Sequence, residues 1–513
     1  MNAGALALAA LVGIATVLAV LAGDGHVLLA FVPLIVAGLM WFTAKTPLRY
    51  PTLGLVALIL CLNNPFEVPF SGLWTSPLHA LEQVWFENLH KFTGVAVLRF
   101  SLLTVSIVAL TLLGTLRQLR TGRREQGSAP LPLALKVSLG LSFATCVIWA
   151  GLGLARGGDF KQSLWQFQQL LFIPILCALF AYALRGPLDL PAIARIIVAS
   201  AAFKVFTGAV FLYGFAKPRG LQPAYVTTHT DSLLFVVAFM VAACAWFEDP
   251  SRRNVRRCLW VLPLMTFGIA INDRRLAYVS LGACLALVFW IAPWNRAKRF
   301  VGRLLLWGLP LILSYTAVGW TARSRVFKPV QVFKSIVAAE ELPGTVAASS
   351  TNFRELENFN LALTWRKSPF VGSGFGHEYD EVIRLPDISR YFPAYRYIPH
   401  NSVLWLWGIG GWVGFTGLTA FLVVAVLLIA RAYRASRAPQ DRAAALVALC
   451  IVVAYLNQAF GDMGAQSWAG TVLLSLAVVM GGKLAVVSGA WPAHELPRAL
   501  RVPAHSGSVA EAA

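Results

Sequence analysis

Apolar residues fill this chain in long unbroken runs, each closed by a short polar or basic stretch. The runs fall at 3–22, 27–44, 51–64, 96–116, 133–154, 164–184, 193–213, 231–247, 259–272, 276–294, 304–320, 402–430, 443–459 and 467–487. Most have the roughly 17 to 25 residues a helix needs to cross a bilayer. Backbone groups in lipid must be satisfied within the segment, and the runs are too continuous for the alternation of barrel strands, which excludes a β-barrel. The pattern predicts an all-α polytopic membrane protein of about 14 transmembrane helices, or about 12 to 14 if short runs such as 51–64 stop short of spanning.

One long hydrophilic stretch divides the chain. It predicts an N-terminal transmembrane bundle over 1–320 (about 11 helices), a large loop over 321–401, C-terminal helices over 402–487 (about 3) and a disordered tail over 488–513, rich in Ala, Pro and Ser. A loop that long is expected to hold structure of its own. Within it Phe353, Leu356, Phe359 and Leu363 recur at helical spacing behind Asn352, with Glu355 as capping-box partner and Pro369 as the stop. Phe327 to Leu342 is a weaker amphipathic candidate, so the loop is expected to form a small helical cap. Residues 78–95, with Leu78, Leu81, Trp85 and Leu89 between Glu82, Glu87 and Lys91, predict an amphipathic helix on the membrane surface.

A composition of 58% hydrophobic and 13% charged residues fits this picture, and the net charge of +20 refines it. In a soluble protein such an excess points to nucleic acid. Here the cations gather between apolar runs: Arg117, Arg120, Arg123 and Arg124; Arg252, Arg253, Arg256 and Arg257; Arg296, Lys298, Arg299 and Arg303; Arg431, Arg434, Arg437 and Arg442. The positive-inside bias places all of these in the cytoplasm, and with them both termini. One parity accommodates every cluster, and it puts 65–95, 155–163, 214–230, 272–275, 460–466 and the large loop 321–401 outside. The seven cysteines lie in or at the edge of apolar runs, so neither a disulfide framework nor a thiolate metal site is expected.

Candidate chemistry collects on the outer side. Arg274 and Arg275 occupy a hairpin too short to be a loop, and Arg219 follows the run 193–213. A guanidinium's planar fork and permanent charge suit a diphosphate, and the same residues would also serve as snorkelling anchors for lipid head groups. His400 stands where the large loop runs back into the membrane, behind Pro399 and ahead of Asn401 and Ser402, either of which can cap the incoming helix. A neutral imidazole there can take a proton from an attacking hydroxyl, and a helix N-terminus favours a nearby anion. His229 and Asp231 either line a cavity or cap the helix that begins there, and Lys204 is a cation within a predicted span. His377 to Glu381 has metal-ligand residue types without a metal-ligand spacing, and Gly372 to Gly376 lacks the strand and the Lys-Ser/Thr of a phosphate-binding loop.

His400-Asn401, nine residues, Gly411, two residues and Gly414 resembles the signature of the O-antigen ligase and O-antigen polymerase superfamily. Pro369 to Gly376 is similar to the Pro-x-x-Gly-x-Gly-x-Gly segment that precedes the histidine in that family. Asp273-Arg274-Arg275-Leu276 stands where the family usually shows Ser-Arg-Gly, so either arginine can correspond. The resemblance is convincing over about 215–430. It implies a metal-independent, GT-C-like glycosyltransferase of the bacterial inner membrane with no cofactor. The implied donor is an undecaprenyl-diphosphate-linked glycan, and the acceptor is another glycan or lipid A core. The implied catalytic residues are His400, Arg275 and Arg274; Arg219, Asn401 and His229 would contact substrate, and a flippase and a chain-length regulator would be partners. The alternative class, a small-solute transporter, calls for repeat symmetry, broken helices and paired intramembrane acids at the midplane, and these spans contain almost no acids.

The orientation is open to a direct test. A cysteine introduced at position 380 should react with an impermeant thiol reagent in intact cells, whereas those at 254 and 436 should not; labelling at either of the latter would reverse the topology.

Overall fold

The computed structural model describes residues 46–65, 76–94, 100–121, 128–338 apart from 224 and 323, and 346–491 apart from 390 and 391, with a few isolated positions before 46. Most of the predicted spans 3–22 and 27–44 and of the predicted tail lies outside the described residues. Described are α1 (Arg49–Cys61), α2 (His79–Phe86), α3 (Leu102–Thr121), α4 (Leu133–Ala155), α5 (Phe160–Ala183) and α6 (Leu190–Ala209). There follow α7 (Asp231–Glu248), α8 (Arg252–Asn272), α9 (Arg275–Ile291), α10 (Arg296–Thr321), α11 (Lys328–Val337) and α12 (Val346–Lys367), then α13 (Ser402–Ala435), α14 (Pro439–Gly461) and α15 (Trp468–Val487).

Among the described residues ten helical segments are long and apolar enough to cross a membrane, and α1 and α9 are shorter apolar helices at predicted spans. The chain is a multi-pass helical membrane protein. The amphipathic prediction at 78–95 becomes α2 and a single turn at His90–Thr93, and the weaker one becomes α11. Asn352 does not cap the loop helix: α12 already begins at Val346, so Asn352 lies inside it.

The helix α15 is the axis of the bundle and is buried almost throughout, whereas α10 is exposed over most of its length and buries only residues near its ends, such as Ala297 and Gly319. Lipid offers little hydrophobic drive between helices, so close approach relies on small residues. Gly482 of α15 meets Leu135 of α4 (a Cβ there would be 2.7 Å from the leucine), and Gly414 of α13 lies under the Trp149 indole of α4 (2.6 Å).

The helix ends sort into two sets. At one end Glu248 joins α7 to α13 and α14 by accepting from Tyr433 Oη (2.7 Å) and pairing with Arg442 Nε (2.7 Å). Buried Lys483 donates there to Ser128 Oγ (2.8 Å) and to the carbonyls of Ala181 (2.9 Å) and Leu184, which closes the carbonyl end of α5.

At the other end α13 is broken. Gly411 has φ 56° and ψ −164°, which interrupts the helix and frees backbone groups on both sides. The glycine segment supplies their partners. Ser373 N donates to Gly408 O (3.2 Å) and Gly374 N to Ile409 O (3.0 Å), while Trp412 N and Val413 N donate to Pro369 O (2.8 Å) and Phe370 O (3.0 Å). Glycine is needed because main chain meets main chain: a Cβ at Gly372, which has φ 70°, would run into the Ile409 carbonyl. On the other side the segment rests on α4, where Phe375 N donates to Trp149 O (3.2 Å) and Trp149 Nε1 to Val371 O (2.8 Å). Gln166 of α5 then closes the neck of the next stretch, accepting from Gly376 N and donating to His377 O (3.0 Å) and Tyr397 O (2.8 Å).

Two glycines of α4 separate this seam from ordinary helix propensity. A Cβ at Gly153 would overlap the Phe375 carbonyl, whereas one at Gly151 meets nothing within 4 Å. Gly151→Ala should leave stability unchanged or raise it by up to about 1 kcal/mol, and Gly153→Ala should lower it by about 1–3 kcal/mol, read as opposite shifts of thermal unfolding in detergent.

Candidate active site

At the broken end of α13 the backbone of His400 is held on both sides. Its N–H donates to Glu357 Oε2 (3.0 Å) and its carbonyl accepts from Met463 N (2.8 Å) in the α14–α15 turn. Asn401 caps α13, its Oδ1 accepting from Val403 N (3.2 Å) and Leu404 N (3.1 Å), and its Nδ2 donates to Asn358 Oδ1 (3.0 Å). With both ends of its amide engaged and only 2% of its surface exposed, Asn401 holds the chain in place.

The imidazole is oriented by the same glutamate. His400 Nδ1 lies 3.2 and 3.3 Å from the Glu357 carboxylate oxygens, and Glu357 is buried. A carboxylate accepts, so Nδ1 carries the proton and Nε2 keeps its lone pair for another partner. Phe353, one turn earlier on α12, packs edge-on to the ring at 5.8 Å. Tyr379 is close enough to feel the glutamate: burial, then the charges of Glu357 and Glu381, push its phenol well above the ordinary tyrosine range.

Beside this pair a cluster of cations surrounds one carboxylate. Asp462 receives Arg274 at 2.6 Å, His229 Nδ1 at 3.4 Å and Arg354 at 3.5 Å. Burial alone would raise its pKa, but Arg274, His229 and Arg354 outweigh it and hold the carboxyl far below the usual range. The Arg274 nitrogen that meets Asp462 also lies 2.6 Å from His229 Nδ1. Arg275 donates to Thr351 Oγ1 of α12 (3.2 Å). One face of α12 therefore meets the arginine hairpin, the α14–α15 turn and His400, and the site carries excess positive charge suited to an anion.

The fold thus brings together His400, Asn401, Arg274, Arg275 and His229. Arg219 stays outside this group: it is exposed on a turn after α6, donates to Phe215 O (3.2 Å) and stacks over the Phe215 ring at 4.2 Å. Asp231 does not cap α7 but faces Lys204, at 2.6 Å. The His377 to Glu381 segment spreads its groups, with Glu378 on Arg396 (2.9 Å), Asp380 on Lys367 (3.0 Å) and His377 Nε2 at the Gly153 carbonyl (3.1 Å). Sequence reading missed Glu357, Arg354 and Asp462. Arg354 and Glu357 do carry a signal, being three residues apart on the predicted loop helix, but charges on an amphipathic helix also read as a solvated face.

Residues 260–419 match the O-antigen ligase family model. This O-antigen ligase domain starts within α8 and ends within α13, so Arg274, Arg275, Arg354, Glu357 and His400 lie inside it while His229 and Asp462 come from flanking segments. The resemblance read from the His400 motif holds over this stretch, and the O-antigen ligase family implies a glycosyltransferase acting on lipid-linked glycans. No curated protein matches the chain.

The Asp462 ion pairs give this end of the bundle a defined pH response. A carboxylate with a lowered folded pKa contributes stability above its unfolded pKa of about 4 and loses it as pH falls through the folded value. Asp462→Asn should therefore melt earlier than wild type at neutral pH, by about 3 kcal/mol, and the gap should narrow below about pH 4, as followed by thermal unfolding.

Proposed function

We propose that this chain is a GT-C-type glycosyltransferase at the periplasmic face of a bacterial inner membrane, with both termini in the cytoplasm. It would move a glycan from undecaprenyl diphosphate to an acceptor hydroxyl on another glycan or on lipid A core. The reading rests on one observation: an imidazole oriented by a buried carboxylate, His400 on Glu357, stands beside Arg274, Arg275 and Arg354.

In this reading the acceptor oxygen attacks the anomeric carbon while the bond from that carbon to the diphosphate oxygen breaks. The hydroxyl proton passes to His400 Nε2, and Glu357 stabilises the imidazolium that forms. The diphosphate leaves as a lipid-linked anion, stabilised by the arginines and by His229. Arg274, Arg275 and Arg354 offer charge that a divalent cation would otherwise supply, so transfer is expected without one. Arg219, exposed at the same end, serves as a contact for the lipid-linked substrate at the membrane rim. A flippase delivering the donor and a chain-length regulator are the expected partners.

Purified protein should transfer glycan from an undecaprenyl-diphosphate donor in the presence of EDTA. His400→Ala should lower the rate by about 100- to 10,000-fold with the protein still folded in the membrane, and Glu357→Gln should lower it less. Near-normal transfer by His400→Ala would reject the assignment, and restoration by magnesium or manganese after EDTA inhibition would reject the metal-free route.

A further inference from the structure

Asn272 looks in the sequence like the polar end of an apolar run, yet its side chain is fully buried and fully used. Its Oδ1 accepts from Val226 N (3.1 Å) and Thr227 N (3.0 Å), and its Nδ2 donates to Thr228 O (3.1 Å) and Ser232 Oγ (3.1 Å). These bonds exhaust what an amide side chain can make. On one side of Asn272 the chain turns through left-handed Asp273 (φ 54°) into Arg274; the segment it holds leads directly into His229. A single amide therefore fixes the spacing between the backbone that carries Arg274 and the backbone that carries His229.

The same segment is gripped from its far side. Thr228 N donates to Asp231 Oδ2 (2.9 Å), and Asp231 Oδ1 pairs with Lys204 Nζ (2.6 Å). Lys204 also reaches Asn63 Oδ1 (3.1 Å), and Asn63 donates through N and Nδ2 to buried Glu82 of α2 (3.1 and 3.0 Å). Lys204 and Asp231 are 3% and 0% exposed. A buried ion pair of this kind is often no more stabilising than a well-packed apolar pair, because both charges lose their hydration. Its directional bonds, in contrast, fix Thr228 in a way that apolar packing would not.

We propose that Asn272, backed by the Lys204–Asp231 pair, is a positioning unit that sets His229 against Arg274 and so shapes the anion site. The proposal rests on the reading of that site as a polyprenyl diphosphate site. None of these residues need touch substrate; they act through Arg274 and His229.

A double-mutant cycle separates such action from a general loss of structure. Affinity for undecaprenyl diphosphate is measured on the full-length protein in lipid nanodiscs for wild type, Asn272→Ala, Arg274→Ala and the double variant. Each single change should weaken binding by about tenfold or more, and the double should bind within about twofold of Arg274→Ala. Multiplied losses in the double, or wild-type affinity in Asn272→Ala, would overturn the positioning role and leave the diphosphate reading intact. Wild-type affinity in Arg274→Ala would instead remove the diphosphate reading itself, and the proposal with it. If Asn272→Ala does not fold, the cycle is run with Lys204→Met/Asp231→Leu, which removes both charges together; non-additivity with Arg274→Ala is again expected, and additivity overturns the proposal.

Discussion

The buried carboxylate of Asp462 is the constraint on which the charged end of this bundle depends. Arg274, Arg354 and His229 arrive from different helices and all meet it. Without an anion among them the Arg274 and Arg354 guanidinium groups would repel each other. On the proposed function, Asp462 balances the same charges that a diphosphate would meet during turnover. It also keeps one cation-binding oxygen close to each arginine, so an incoming anion would redistribute existing hydrogen bonds and meet groups already placed.

Part of this was legible in sequence. The length of apolar runs locates the helices because the membrane imposes that length on every span. His400 and the arginine hairpin are legible because each breaks a local rule, a titratable group at a helix start and cations against the charge bias. Glu357, Asp462, Gln166 and Asn272 break no local rule. Their meaning lies in partners far along the chain, such as the 188 residues between Arg274 and Asp462. The helix start at Val346 was hidden for a related reason: Val346 to Thr351 shows no apolar stripe, and a capping-box pattern at Asn352 to Glu355 competes with it.

The glycine pattern shows how one motif can mislead about chemistry while being right about place. Gly372 to Gly376 resembles a phosphate loop on paper, but the amides of Ser373 and Gly374 are spent on the carbonyls that the break at Gly411 exposes, and that of Gly372 on Ser368 O. A helix interrupted in this way needs outside partners for its free groups, and a side chain at either surface would prevent main chain from reaching main chain. The break, the glycine segment and Trp149 form one unit that sets the position from which the helix leads up to His400.

The Gln166 neck has a consequence for how such a protein could diversify. Because one amide side chain ties His377 O to Tyr397 O, the excursion between them begins and ends at fixed points. Lengthening a closed loop costs little, about 0.6 kcal/mol for each doubling, so insertions or exchanges in the outer part of that excursion would scarcely reach the imidazole. The arrangement behaves as a cassette: its contents can drift under selection for a new recognition surface, while the chemistry below keeps its registration.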